Sequence, residues 1–185
     1  MNTVPEHLQK RLDLLMINAD TRYNLRKVIP VFREDLDFIV EKFYAHIRQF
    51  PEISQIFTGK AQIDALKKRQ KQHWIKLFSC RFDDAYVNSA VRIGKIHFTQ
   101  GVAPSLYVAG YNYFHCELVS ALTRRKFNPR ELSDVLTSVC RVISLDMDLS
   151  LSVYTQEYRD NQESGDRQEA GDRQEPEQNP AWVIE

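Results

Sequence analysis

The stretch Val91-Arg92-Ile93-Gly94-Lys95-Ile96-His97-Phe98-Thr99-Gln100-Gly101-Val102-Ala103-Pro104-Ser105-Leu106-Tyr107-Val108-Ala109-Gly110-Tyr111 decides the fold. Ala90, Ile93, Gly94 and His97 recur three or four residues apart, so on a helix they share one apolar face, with the imidazole near its C-terminal end. Gly101 reads as the stop of that helix and Pro104 as the first residue of the next. Gly94 lies one turn before the histidine and leaves room for a flat, bulky group to approach the backbone.

Two readings of His97 are open on this pattern. One is a core histidine bonded to a carbonyl or hydroxyl. The other is an axial ligand for haem iron, because a helix-end imidazole that faces an apolar space has the donor and surroundings that such a metal takes.

Around this stretch the periodicity is helical throughout. Leu8, Leu12 and Leu15 give a short amphipathic helix from Pro5 to Met16. Asp20-Thr21 signals a helix start, and Pro30 predicts an interruption or kink before the run Val31 to Gln49, whose stripe is Leu36, Ile39, Val40, Phe43, Tyr44 and Ile47. Pro51 opens a short turn ending near Phe57, Gly59 breaks it, and Ile63, Leu66, Gln70, Trp74, Leu77 and Phe78 outline the next helix. Asp83-Asp84 starts the helix of His97, and the helix from Pro104 runs to about Arg125. Asn128-Pro129-Arg130-Glu131 combines a cap, a first-position proline and a glutamate three residues after the cap, and starts a last helix expected to end near Arg159. Strand-like alternation is almost absent, so the class is all-α.

The set Arg92-Ile93-Gly94-Lys95-Ile96-His97, Gly101, Pro104, Tyr107 and Gly110-Tyr111 resembles the proximal segment of globin-coupled sensors, the haem-globin input domains of bacterial signalling proteins. Glu41-Lys42-Phe43-Tyr44, Leu66-Lys67 and His73-Trp74-Ile75 extend the likeness upstream in the same order, over roughly residues 18–157. The resemblance implies a globin fold, a helical sandwich with an additional amino-terminal helix and no D-type helix. It divides the chain into an extension helix at residues 1–17, a globin sensor domain at 18–159 and a polar flexible linker or tail at 160–185.

The cofactor implied is haem b, with His97 as the iron ligand. Tyr44 matches the distal tyrosine, whose phenol can donate to dioxygen as it gains negative charge, and the alternative is a buried tyrosine with a structural hydrogen bond. Phe43, Leu66, Ile93, Ile96, Tyr107 and Tyr111 complete the implied cofactor-binding set. Leu66 matches an apolar distal position, and Tyr107 is either a partner of the proximal ring or core filler. Arg69 departs from the pattern, because relatives carry small or apolar residues there, which leaves the number of polar donors in the distal pocket open. His73 reads as packing or a contact on the propionate side, His46 as a surface residue and His115 as a satisfied core histidine.

Composition narrows the function. Lys plus Arg and Asp plus Glu are each 25, so the chain has no net basic field for nucleic acid. Cys80, Cys116 and Cys140 are odd in number and set among apolar residues, which predicts reduced core thiols in a cytoplasmic protein. No segment approaches the roughly 20 apolar residues of a membrane span. With 185 residues the chain suits one domain and is too short for a globin plus a full enzymatic output domain. No nucleophile elbow, phosphate loop or His-Glu metal motif is visible, so no enzyme is expected within it, and an output domain such as a cyclic-dinucleotide enzyme would lie outside.

The expected function is a haem-based sensor of dioxygen, also able to take carbon monoxide and nitric oxide. It would form a homodimer through the helices at 104–125 and 129–158, because the apolar band from Leu132 to Val153 is too broad for one core-facing stripe. The alternatives are a haem-free globin-like signalling or dimerisation module and a haem dioxygenase acting on nitric oxide. After Tyr158 the composition turns polar, with a tandem Gly-Asp-Arg-Gln-Glu, before an apolar end at Ala181-Trp182-Val183-Ile184 that reads as a docking peptide or the start of a further domain.

Overall fold

A computed structural model describes the chain from Glu6 to Gly171, with side chains from Leu8 to Thr155. The helices are α1 (Glu6–Leu14), α2 (Ala19–Ile47), α3 (Pro51–Ser54), α4 (Lys60–Phe78), α5 (Asp84–Thr99), α6 (Pro104–Thr123) and α7 (Pro129–Gly171), and no strand occurs among the described residues. The all-α class expected from the periodicity is the one observed. The tail from residue 172, with Trp182, lies outside the described residues.

Local signals explain most boundaries. Asp83 caps α5 by accepting from the Tyr86 amide at 2.9 Å, and Asn128 caps α7 by accepting from the Glu131 amide at 2.9 Å. Gly101 takes φ +72° just beyond α5, the left-handed conformation that ends a helix without a Cβ penalty, and Pro104 then opens α6. The start of α2 lies two positions earlier than Asp20-Thr21 implies: Asn18 is the cap, and it forms a reciprocal capping box with Thr21. The last helix also runs past Arg159 to Gly171. Its Gln, Glu, Arg and Ala residues are good helix formers, so polarity alone did not mark a stop.

Of the two outcomes expected at Pro30, an interruption is not found: α2 runs through it. It lies on the exposed face, where water can take the Arg26 carbonyl that the missing N–H leaves free. On the opposite face Leu25, Val28, Phe32 and Leu36 are buried and carry the helix through.

The core is aromatic at its centre. Trp74 stacks on Phe114 (4.7 Å, 21°) and on Phe78 (5.9 Å, 23°), and Phe32 meets Phe78 edge-on at 4.7 Å. Leu8 and Leu12 dock α1 onto this core, and Arg11 pairs with Asp148 of α7. Of the cysteines only Cys80 is buried, whereas Cys116 and Cys140 are exposed on α6 and α7. His115 is correspondingly not a core histidine: it is half-buried, with Nε2 3.1 Å from the Cys140 sulfur. Apolar neighbours in sequence misled in both cases, because these residues sit on the outer faces of the two helices.

The room expected beside Gly94 is filled by α7. A Cβ on Gly94 would stand 2.0 Å from the Ser150 carbonyl oxygen, and Ser150 Oγ donates to the Ala90 carbonyl at 3.1 Å. Glycine here serves the approach of two helix backbones. Gly94→Ala is therefore expected to destabilise the fold by about 1–3 kcal/mol through overpacking. Urea unfolding checks this, and a midpoint equal to that of the wild type would contradict the close crossing.

Candidate functional site: a proximal histidine and a buried carboxylate network

Gly94 brings α5 onto α7, and this orients His97 one turn later. The ring is half-buried, and its Nδ1 lies 2.9 Å from the Ile93 carbonyl oxygen. A carbonyl only accepts, so Nδ1 carries the proton and Nε2 keeps a free lone pair. Burial lowers the pKa of His97, the Ile93 hydrogen bond opposes this, and His73 adds a further lowering. The imidazole is thus neutral near pH 7, with the tautomer and orientation a metal-bound histidine needs. Tyr107 packs edge-on against it, with ring centroids 4.8 Å apart.

Tyr44 is 7% exposed on α2. Burial pushes its pKa up to about 12, so the phenol remains a proton donor at physiological pH. No side chain or backbone group among the described residues bonds its hydroxyl, and that oxygen is not among the buried atoms left without a partner, so it keeps access to solvent. Phe43 packs on Tyr44 at 5.4 Å and on Phe114 at 4.8 Å, and Phe57 meets Tyr44 at 5.9 Å. A run of ring contacts therefore joins the two sides: His97 to Tyr107, Tyr111 (5.2 Å), Trp74 (6.1 Å), Phe114, Phe43 and Tyr44.

The other expected residues divide. Leu66 on α4 is half-buried against the core, and Ile93 supplies the carbonyl that orients His97. Ile96 is 51% exposed and stands apart from the group. Arg69 is exposed, as is His46, which stacks on Tyr113 at 5.3 Å. Lys67 pairs with Glu41.

Sequence reading missed Asp146, the centre of the site's polar chemistry. It is fully buried on α7 and accepts hydrogen bonds from Tyr111 (2.6 Å), His73 Nε2 (2.7 Å) and Tyr86. Burial raises its pKa, but the charge of His73 and the hydrogen bonds from His73, Tyr111 and Tyr86 outweigh this, and the net shift is downward. The acid shares a helix face with Val139, Val142 and Leu149, three or four residues apart, and that break in the apolar stripe was the available signal. His73 accordingly does more than pack: its Nε2 is hydrogen-bonded to Asp146.

Gln70, one turn before Trp74 on α4, has a buried Oε1 without a partner. An orphaned buried acceptor and an oriented neutral imidazole, with a phenol that stays protonated nearby, together fit a site that takes a polar, flat prosthetic group such as haem. His97 would ligate its iron, and Tyr44 would serve a ligand on the opposite side.

The chain is similar to known globin domains. The family model Protoglobin matches residues 5–160. The heme-based aerotactic transducer HemAT of Halobacterium salinarum is 26% identical over 158 residues, which is 80% of this chain and 32% of that protein. The chain thus spans about a third of that relative's length. The globin domain of a Geobacter sulfurreducens globin-coupled sensor superposes with a TM-score of 0.74 at 16% identity, covering 79% of this chain and 96% of that one. The ferric globin domain of E. coli DosC superposes at 0.67 and 14% identity, covering 78% and 97%. At these identities the structural likeness establishes the globin-sensor fold. No helix among the described residues is long and apolar enough to cross a membrane.

The carboxylate network also sets an acid limit on stability. Because the folded pKa of Asp146 lies below its ordinary value of 3.8, its contribution is complete above that value and is lost as pH falls below it. Asp146→Ala strands three donors and should cost about 3–5 kcal/mol at neutral pH. Unfolding curves between pH 7 and pH 3 should show the gap between wild type and variant closing toward the acid end. A gap independent of pH would mean that the carboxylate is not ionised in the folded protein.

Proposed function

Since the chain belongs to the protoglobin family, we propose that it is a haem-binding gas sensor domain, with dioxygen its favoured ligand and a downstream output domain its target. The observation that carries the proposal is the His97 tautomer: Nδ1–H is held by the Ile93 carbonyl, and Nε2 is left free to bind a metal. When bound, haem iron supplies a coordination position for a diatomic gas. His97 would hold the iron from α5 through its free Nε2. Tyr44 would be the hydrogen-bond donor to a bound gas, with Phe43, Phe57 and Leu66 supplying apolar surroundings. A phenol rewards a ligand that gathers negative charge, so it favours dioxygen over carbon monoxide. The haem-free module is disfavoured by Gln70, whose buried Oε1 would be left without a partner.

The relay in this reading is a homodimer formed by α6 and α7. Phe114, Leu118 and Leu122 of α6 belong to the core of the chain itself. The outer face of α7 instead carries half-exposed Leu136, Met147 and Leu151, and α6 adds Val108 and Val119. Such a stripe suits a second copy, which it would meet as part of a four-helix bundle.

Tyr44→Phe is the discriminating variant. It should speed dioxygen dissociation by about one to two decades, the equivalent of a charge-assisted hydrogen bond of ~1.5–3 kcal/mol, and barely alter carbon monoxide release. Stopped-flow measurements on both gases decide the matter. Equal changes for the two would mean that Tyr44 acts by bulk, not by donation.

A further inference from the structure

The hydrogen bonds around Asp146 have a fixed direction. A buried carboxylate accepts only, so Tyr111 commits its single proton to Oδ2 and can then only accept from Tyr107, 3.4 Å away. Tyr107 in turn lies edge-on against His97. The path thus runs from His97 on α5 by ring contact to Tyr107, then by hydrogen bonds through Tyr111 on α6 to Asp146 on α7, and His73 ties the same carboxylate to α4. Tyr86 also bonds Asp146, but it stands at the opposite end of α5 from His97 and is not on this path.

We propose that Asp146 is a positioning residue that sets the orientation of the proximal histidine through Tyr111 and Tyr107 and couples that orientation to α7, the helix with the unpartnered outer face. The proposal rests on the haem reading of His97. Asp146 touches neither the iron site nor the gas. It acts by keeping the Tyr111 proton pointed inward, so that the Tyr111 oxygen can only accept from Tyr107, whose hydroxyl also bonds Ser150 of α7, and these bonds hold the Tyr107 ring against the imidazole. An asparagine at this place presents an amide that can donate to Tyr111, and the proton direction along the two tyrosines is then free to reverse. A bistable pair of hydroxyls between the proximal ligand and α7 is the kind of element that a small movement of His97 can bias.

The test uses the haem-loaded ferrous protein and reads the iron–histidine stretching mode by resonance Raman, a signature that fold stability alone does not move. Asp146→Asn and Tyr111→Phe should displace the mode in the same direction, and the double variant should go no further than either. Tyr86→Phe, which removes another hydrogen bond from the same carboxylate, should leave the mode at its wild-type position while lowering the unfolding midpoint. Should Asp146→Asn fail to fold, Tyr111→Phe, which deletes one hydroxyl, carries the test. An unmoved mode in Tyr111→Phe overturns the positioning role, as does an equal displacement in Tyr86→Phe. Wild-type protein without a haem absorption band overturns the haem reading itself, whereas haem-loaded variants with an unmoved mode overturn only the role of Asp146.

Discussion

The close crossing of α5 and α7 at Gly94 is the constraint on which the rest depends. With no Cβ on Gly94, the backbone of Ser150 comes within what would otherwise be a clash, and two further hydrogen bonds fasten the pair: Ser150 Oγ to the Ala90 carbonyl and Tyr154 hydroxyl to the Val102 carbonyl at 2.9 Å. These bonds bracket His97 on both sides along the chain. The histidine is therefore carried on a helix whose depth and rotation are set by α7, and movement of one is difficult without the other. Structure and proposed signalling share this joint.

Burial on the same joint explains the electrostatics. An apolar interior would favour a protonated Asp146, and three convergent donors keep it ionised instead. The same charge, after burial itself, raises the pKa of Tyr86 and Tyr111 well above the ordinary phenol value, so both stay protonated and donating. Tyr107 is pushed up to about 12, chiefly by burial. The interior thus holds one anion among groups that cannot easily lose protons, and this makes the hydrogen-bond directions fixed properties of the fold.

Much of this was legible in the residues. Helix type, the caps at Asp83 and Asn128, the stop at Gly101 and the start at Pro104 follow from local chemistry that tertiary packing did not override. His97 stood out as a candidate by its face and spacing, whereas Tyr44 did so only through the family resemblance of its Phe43-Tyr44 pair. What spacing could not report was the depth of each face. Gly94 read equally well as space for a ligand or for a neighbouring backbone, and Cys116 and Cys140 read as core because their sequence neighbours are apolar. Asp146 and His73 lie far apart in sequence, and their pairing appears only once α4 and α7 are packed. Pro30 failed as a break because helix termination depends on whether the freed carbonyl can reach water.

The central claim is that His97, with Nδ1 held by Ile93, offers Nε2 to haem iron. Titration of the purified chain with haem, followed by its absorption spectrum after reduction, tests it most directly. The account predicts saturation at one haem per chain and a five-coordinate ferrous spectrum that converts on exposure to dioxygen. Haem that fails to saturate, or a spectrum unchanged when His97 is replaced by alanine, would contradict it.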